Sequence, residues 1–334
     1  MKVFHSMRRR RKKRRVVGGF TRHPRRGVVK KRFDERAFML ALAAVIVLCL
    51  VMIASILLRT ARTKRLNSEL SALRATEMTA TAAPEPTAEP LPTDAPPQTA
   101  APTASPAPAV TSAPAAVVSS TLYHRYGGTP LSYMETLYDR NHDLIGWLNI
   151  PGVIDLPVVY RDNVYYLTHD FDGNKSEAGT LFLDKNHRFT ENTQNLLIHG
   201  HNMKDGTMFG RLAQYEQDIN YYRAHPLVQF STLWEEETYV IFAVLNVSLD
   251  VQSDRFVNFF SHPTFSSDEA FDAYVRSLQL SSIYAIPIGA KPSDALLTLS
   301  TCLGEDRLVI VCRRMREGET ASRLRELANA AVWN

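Results

Sequence analysis

A cysteine closes one apolar run of this sequence and an arginine opens the next. Thr298-Leu-Ser-Thr-Cys302 is followed, after Leu303-Gly304-Glu305-Asp306, by Arg307-Leu-Val-Ile-Val-Cys312. If the two runs pair as a hairpin, Cys302 and Arg307 face each other on one side with Cβ atoms ~4.5–5.5 Å apart. A guanidinium placed there can hold a carbonyl and stabilise the negative charge that develops when a sulfur attacks it. Arg313 shares the parity of Arg307 but lies ~20 Å along the strand, and Arg314 points to the other face. Parity and distance together leave Arg307.

The same alternation turns Cys312 away from Cys302. A disulfide needs Cα atoms within about 7 Å and converging Cβ vectors, so the two are expected as free thiols, with Cys312 in the core. A cysteine nucleophile also needs a base. Leu196-Leu-Ile-His199-Gly200-His201-Asn202-Met203 is an apolar strand that opens into a loop, with a helix after it carrying Phe209 and Leu212 inward. A hydrogen-bonded structural role is the commoner fate of an arbitrary histidine. His-Gly-His also suggests a metal, but no acid or cysteine cluster supplies the remaining ligands, and none is expected. The residues alone leave His199 and His201 competing for the role of base.

These groups need a frame. From about Thr121 the composition is globular to the end. Short β-type runs punctuated by turn residues fall at Ile145–Ile150, Leu156–Tyr160, Gly179–Leu183, Asn195–Ile198, Val228–Ser231, Thr238–Ser248, Ala295–Thr301 and Leu308–Cys312. Their number and spacing predict a closed or nearly closed β-barrel. Thr129-Pro130 reads as a cap and first position of a helix with Leu131, Met134, Leu137 and Tyr138 on one face. Ser266 and Glu269 form a capping box for a second helix, in which Phe271, Tyr274, Val275 and Leu278 recur at helical spacing. A last helix is expected over Glu319–Trp333.

The first third is different. Residues 1–36 hold 16 Lys/Arg against Asp34 and Glu35, a balance of +14, while residues 37–334 hold 23 basic and 32 acidic side chains. No aromatic-rich or groove-reading module accompanies the basic run, which argues against nucleic acid. Residues 37–58 form an uncharged apolar stretch of 22 residues, enough to cross a hydrocarbon core of ~30 Å and longer than the apolar part of a cleaved signal peptide. Cys49 within it is an apolar filler. The excess of positive charge before the span predicts a cytoplasmic N-terminus. Leu66–Thr76 briefly extends the membrane helix. Between about Ala75 and Val118 the chain is Ala, Thr and Pro with a few acids, and ten prolines fall between Pro84 and Pro114. Such a stretch buries too little to order itself and reads as a semi-rigid spacer. The expected divisions are a basic tail at 1–36, a transmembrane helix at 37–58, a juxtamembrane segment and disordered linker at 59–120, and a catalytic domain at 121–334.

TLSTC followed by Arg307-Leu-Val-Ile-Val, with Gly200-His-Asn-Met-x-Asp-Gly-Thr-Met-Phe209 upstream, resembles the active site of the sortases. Asp143-Leu-Ile-Gly-Trp-Leu-Asn-Ile-Pro-Gly152, Leu156-Pro-Val-Val159, Asn163-Val-Tyr-Tyr-Leu-Thr-His-Asp-Phe171 and Gly179-Thr-Leu-Phe-Leu-Asp184 are similar to class B members. The resemblance runs from about Leu131 to Met315. It implies a mainly β fold with flanking helices: a sortase-type eight-stranded β-barrel, an N-terminal helix, and a helix before the cysteine strand. It implies Cys302 as nucleophile, His201 as general acid and base, and Arg307 as stabiliser of the oxyanion or substrate. Ser300, Thr301 and Asn202 are the candidate substrate-binding residues.

The implied reaction is attack on a Leu/Asn-Pro-x-Thr-type sorting signal, a thioester acyl-enzyme, and transfer to an amine. No cofactor is implied. The implied partners are surface proteins or pilins with C-terminal sorting signals, a peptidoglycan-precursor amine, and a lipid bilayer held through residues 37–58, in a Gram-positive-type envelope with the catalytic domain outside. The alternatives are a pilus-polymerising sortase or thiol hydrolase using a pilin lysine or water, and a non-catalytic surface binding domain, which would show a broken triad. His199 stands where the family often has an aromatic residue, and the connection between Cys302 and Arg307 is shorter than in many class B members.

Overall fold

The computed structural model describes residues 35–82, 131–187 and 193–334. The basic tail up to residue 34, the residues between 83 and 130, and with them the Thr129-Pro130 cap, lie outside the described residues. The chain divides into two compact units, Met1–Ile53 and Ala54–Asn334. The described part of the first is helical and exposes its apolar side chains, Phe38 to Ile53. It belongs to α1 (Glu35–Ala82), which is long and apolar enough to cross a membrane.

The second unit is built on eight strands: β1 (Leu144–Ile150), β2 (Ile154–Val159), β3 (Leu181–Leu183), β4 (Asn195–His199), β5 (Leu227–Thr232), β6 (Glu236–Val247), β8 (Leu296–Leu303) and β9 (Asp306–Arg314). They close into a barrel in the order β1-β2-β3-β4-β8-β9-β6-β5. The pairs β2–β3 and β4–β8 are parallel and the other neighbours antiparallel. Every run expected from β-type residues is one of these strands. β7 (Tyr284–Ala285) and β10 (Val332–Trp333) form a separate two-stranded ribbon.

Two apolar clusters hold this unit together. The larger includes Ile145, Leu148, Leu183, Ile198, Val244 and Ile310. It takes in Tyr215 of α3 (Gln214–Gln217) and Ile219 and Tyr222 of α4 (Ile219–Ala224), and extends under α5 (Asp268–Leu280), whose buried side chains are the expected Phe271, Tyr274, Val275 and Leu278. The cap of α5 is Ser267, which accepts from the Ala270 N–H. It falls one residue after the expected Ser266, because the chain becomes helical only from Asp268. The last helix is also shorter than expected. α6 (Ala321–Asn329) starts behind a Thr320 cap, and Val332–Trp333 leaves it to pair with β7, where the Trp333 ring meets Tyr284 at 4.8 Å.

The second cluster joins α2 (Ser132–Arg140) and the later part of α1 to the barrel. Leu66, Leu70 and Leu73 recur on one helical stripe. Leu70 is fully buried among Tyr133, Met134, Leu137, Trp147, Val159 and Phe182. Polar contacts flank it: Ser71 Oγ donates to the Asp155 carbonyl at 3.0 Å, and Arg140 reaches Glu69 at 2.8 Å and Asp172 at 2.7 Å. The Thr136 hydroxyl donates to Glu77 at 3.2 Å. Leu66–Thr76 extends the helix as expected, and the helix runs on to Ala82, past the expected start of the spacer at about Ala75; from Leu66 to Met78 it packs on the domain. Good helix formers carry the turn forward, and burial of the leucine stripe holds it.

Candidate active site

The β8–β9 hairpin places Cys302 opposite Arg307, the register expected from spacing. Pairing continues to Leu303 and Asp306, so only Gly304-Glu305 form the turn, with Gly304 at φ +64°. A side chain is disfavoured in that left-handed conformation, which is why glycine sits there. The turn is also held from outside. Arg255 donates to the Asp306 carboxylate at 2.8 Å and to Asn246 Oδ1 at 3.1 Å. Arg307 Nη1 donates to Cys302 Sγ at 2.6 Å, and the cysteine is exposed. Arg313 is buried and bound to Glu319 at 2.6 and 2.7 Å, away from the site.

Cys312 pairs with Leu297, fully buried, and neither it nor Cys302 is in a disulfide. Burial pushes its thiol well above the ordinary range. It is a core residue and inert as a nucleophile.

The two histidines separate clearly. His199 ends β4, and its Nε2 lies 3.1 Å from Asp184 Oδ2, beside the Phe182 ring. Burial works to raise the Asp184 carboxyl, but the His199 contact, the Asn186 N–H and the Asn163 amide outweigh it and hold the group at about 2. His199 is thus tied to a structural acid. His201 lies two residues on, in the loop, with Nε2 2.8 Å from the Leu167 carbonyl. A carbonyl only accepts, so Nε2 carries a proton in this bond and Nδ1 is the nitrogen left to exchange one.

The loop bearing His201 runs alongside the end of β8. Its backbone is fixed by the Phe209 N–H, which donates to the His201 carbonyl at 2.9 Å, and by the Asn202–Met208 bridge. Behind it, a Cβ on Gly200 would meet Leu181 Cδ2 at 2.4 Å. The three candidate substrate-binding residues are placed differently from one another. Ser300 is buried in β8, its hydroxyl without a hydrogen-bond partner. Thr301 is fully buried, and its hydroxyl donates to the Gly200 carbonyl at 2.7 Å. Asn202 is partly exposed, and its Nδ2 donates to the Cys302 carbonyl at 2.8 Å. Residue type alone could not have found the Leu167 carbonyl or the Asp184 contact, because both depend on how β3 and the 163–167 segment fold back against β4.

The Sortase domain family matches residues 148–315, half of the chain. Sortase B of Listeria monocytogenes is 32% identical over 171 residues, 51% of this chain and 66% of that protein, so the match spans a little under two thirds of its length. A crystal structure from Bacillus anthracis described as similar to sortase B superposes with a TM-score of 0.50 at 25% identity, covering 60% of this chain and 94% of that one. A Staphylococcus aureus sortase B–substrate complex shares the fold, with a TM-score of 0.51 at 21% identity over 60% of this chain and 92% of its own. The Cys302–Arg307 hairpin and the His201 loop lie inside the matched domain, and the chain belongs to the sortase family.

Proposed function

We propose that this chain is a membrane-anchored cysteine transpeptidase. It would cleave a Leu/Asn-Pro-x-Thr-type sorting signal and transfer the severed protein to a cell-wall amine. The observation that carries the reading is the Arg307 guanidinium directed at the Cys302 sulfur, on a hairpin that abuts the His201 loop.

In the first half-reaction Cys302 Sγ, as the thiolate, forms a bond to the threonine carbonyl carbon, and its negative charge moves to the carbonyl oxygen. Arg307 lies beside that centre as a planar donor to the developing charge. His201, doubly protonated, gives the Nδ1 proton to the leaving amine as the C–N bond breaks, which leaves a thioester. In the second half-reaction the incoming amine attacks the thioester carbon, neutral Nδ1 takes its proton, and the sulfur departs. The His201–Leu167 contact holds the ring by Nε2 throughout. The apolar stretch at 37–58 supports an anchor in the bilayer, and the basic residues before it support a cytoplasmic N-terminus.

The test uses the full chain in detergent with a panel of fluorogenic sorting-signal peptides, with and without an amine acceptor. Cleavage with an amine-ligated product is expected. Hydrolysis without ligation at saturating amine would make the chain a thiol hydrolase, and failure to cleave any peptide would contradict the reading.

A further inference from the structure

The β4–β8 ladder ends at the His199–Ser300 pair, and the last backbone link beyond it is the Gly200 N–H to the Ser300 carbonyl at 3.3 Å. From there the two segments would part, one into the His201 loop and the other into the β8–β9 turn. Two side chains hold them together past that point. Thr301 Oγ1 donates to the Gly200 carbonyl at 2.7 Å, and Asn202 Nδ2 donates to the Cys302 carbonyl at 2.8 Å. Gly200 and Asn202 are the immediate neighbours of His201. Thr301 and Cys302 are the nucleophile and its immediate neighbour. The two bonds run in opposite directions and bracket the pair of reacting residues.

We infer that Asn202 is a positioning residue, which with Thr301 sets the placement of His201 relative to Cys302. This rests on the transpeptidase reading and changes one part of it: the Asn202 amide is committed to the nucleophile's own backbone rather than to the peptide. Each link satisfies a carbonyl at the end of the ladder that would otherwise depend on water. Neither bond involves the Cys302 sulfur or the Arg307 guanidinium. Loss of the clamp should therefore leave peptide binding in place and impair the proton transfers that need His201 in reach, since a misplacement of about 1 Å can cost ~100-fold.

The experiment compares the full chain with Asn202→Asp, Thr301→Val and Thr301→Ser. Asn202→Asp keeps the shape but turns the donor into an acceptor facing a carbonyl. Thr301→Val removes the hydroxyl at equal volume, and Thr301→Ser restores it. Expected is a ~10–100-fold fall in kcat for Asn202→Asp with KM within about twofold, a similar pattern for Thr301→Val, and recovery in Thr301→Ser. Amide exchange at Phe209 should quicken in the first two variants, a readout that needs no substrate. Wild-type kcat and wild-type exchange in Asn202→Asp would overturn the assignment, as would a loss confined to KM. If the unsubstituted chain cleaves no peptide while Asn202→Asp still loosens the loop, the transpeptidase reading fails and the clamp stands.

Discussion

The β8–β9 hairpin and the docked part of α1 are both indispensable to the arrangement described, yet they are held by opposite kinds of interaction. In the hairpin, Cys302 and Arg307 are five positions apart and meet through strand register and a two-residue turn. In α1, Leu70 is buried against Tyr133, Met134 and Trp147, more than sixty positions away. The first geometry is local and is specified by alternation and a glycine. The second exists only because the rest of the domain offers a cleft of matching apolar shape. The proposed chemistry therefore sits on the local element, and part of the stability on the distant one.

Substitutions can separate these two dependencies. The largest effect is expected at the proposed nucleophile: Cys302→Ala should abolish peptide cleavage and thioester formation while thermal unfolding stays unchanged, since the side chain is exposed. Residual cleavage would move the nucleophile elsewhere. Arg307→Lys keeps the charge but loses the planar donor array, and kcat/KM in the peptide assay should fall by ~100-fold or more. Near-normal turnover in this variant would remove Arg307 from its role.

On the other side of the comparison, Leu70→Ala should destabilise the domain by ~2–5 kcal/mol in denaturant titration, with kcat of the folded fraction close to normal. An unchanged unfolding midpoint would mean that the helix is not part of the folded unit. The smallest effect is expected at Asp184. Its folded-state pKa of about 2 lies below the ordinary carboxylate value, so its contribution, on the order of 2 kcal/mol, is present above pH ~4. That contribution is lost as pH falls through about 2. Asp184→Asn should therefore be less stable than the parent near neutrality and lose less on acidification, and parallel acid-unfolding curves would contradict this.

How much was legible follows the same division. All the barrel strands are visible as alternating or continuous apolar runs bounded by turn residues, because each strand carries its own pattern. Parity separates Arg307 from Arg314 and Cys302 from Cys312, and distance along the strand separates Arg307 from Arg313. What is not legible depends on partners. Leu66, Leu70 and Leu73 advertise an apolar stripe without saying what it meets. Val332 and Trp333 continue a helical pattern but are drawn off by an edge at Tyr284. His199 and His201 are equivalent by type; the resemblance implies His201, and the Asp184 and Leu167 contacts give the two rings their different physical settings. Asn202 reads as a polar loop residue open to substrate until the Cys302 carbonyl is found beneath its amide.

The docking of α1 also changes what the Ala/Thr/Pro-rich stretch connects. That stretch leaves from the end of α1, where Met78 packs on the domain, and returns at α2, where Leu131 packs in the same cluster. Both of its ends are tied to one body. A protease cut anywhere within it would yield two fragments that stay associated through the Leu70 cluster, running apart only on a denaturing gel.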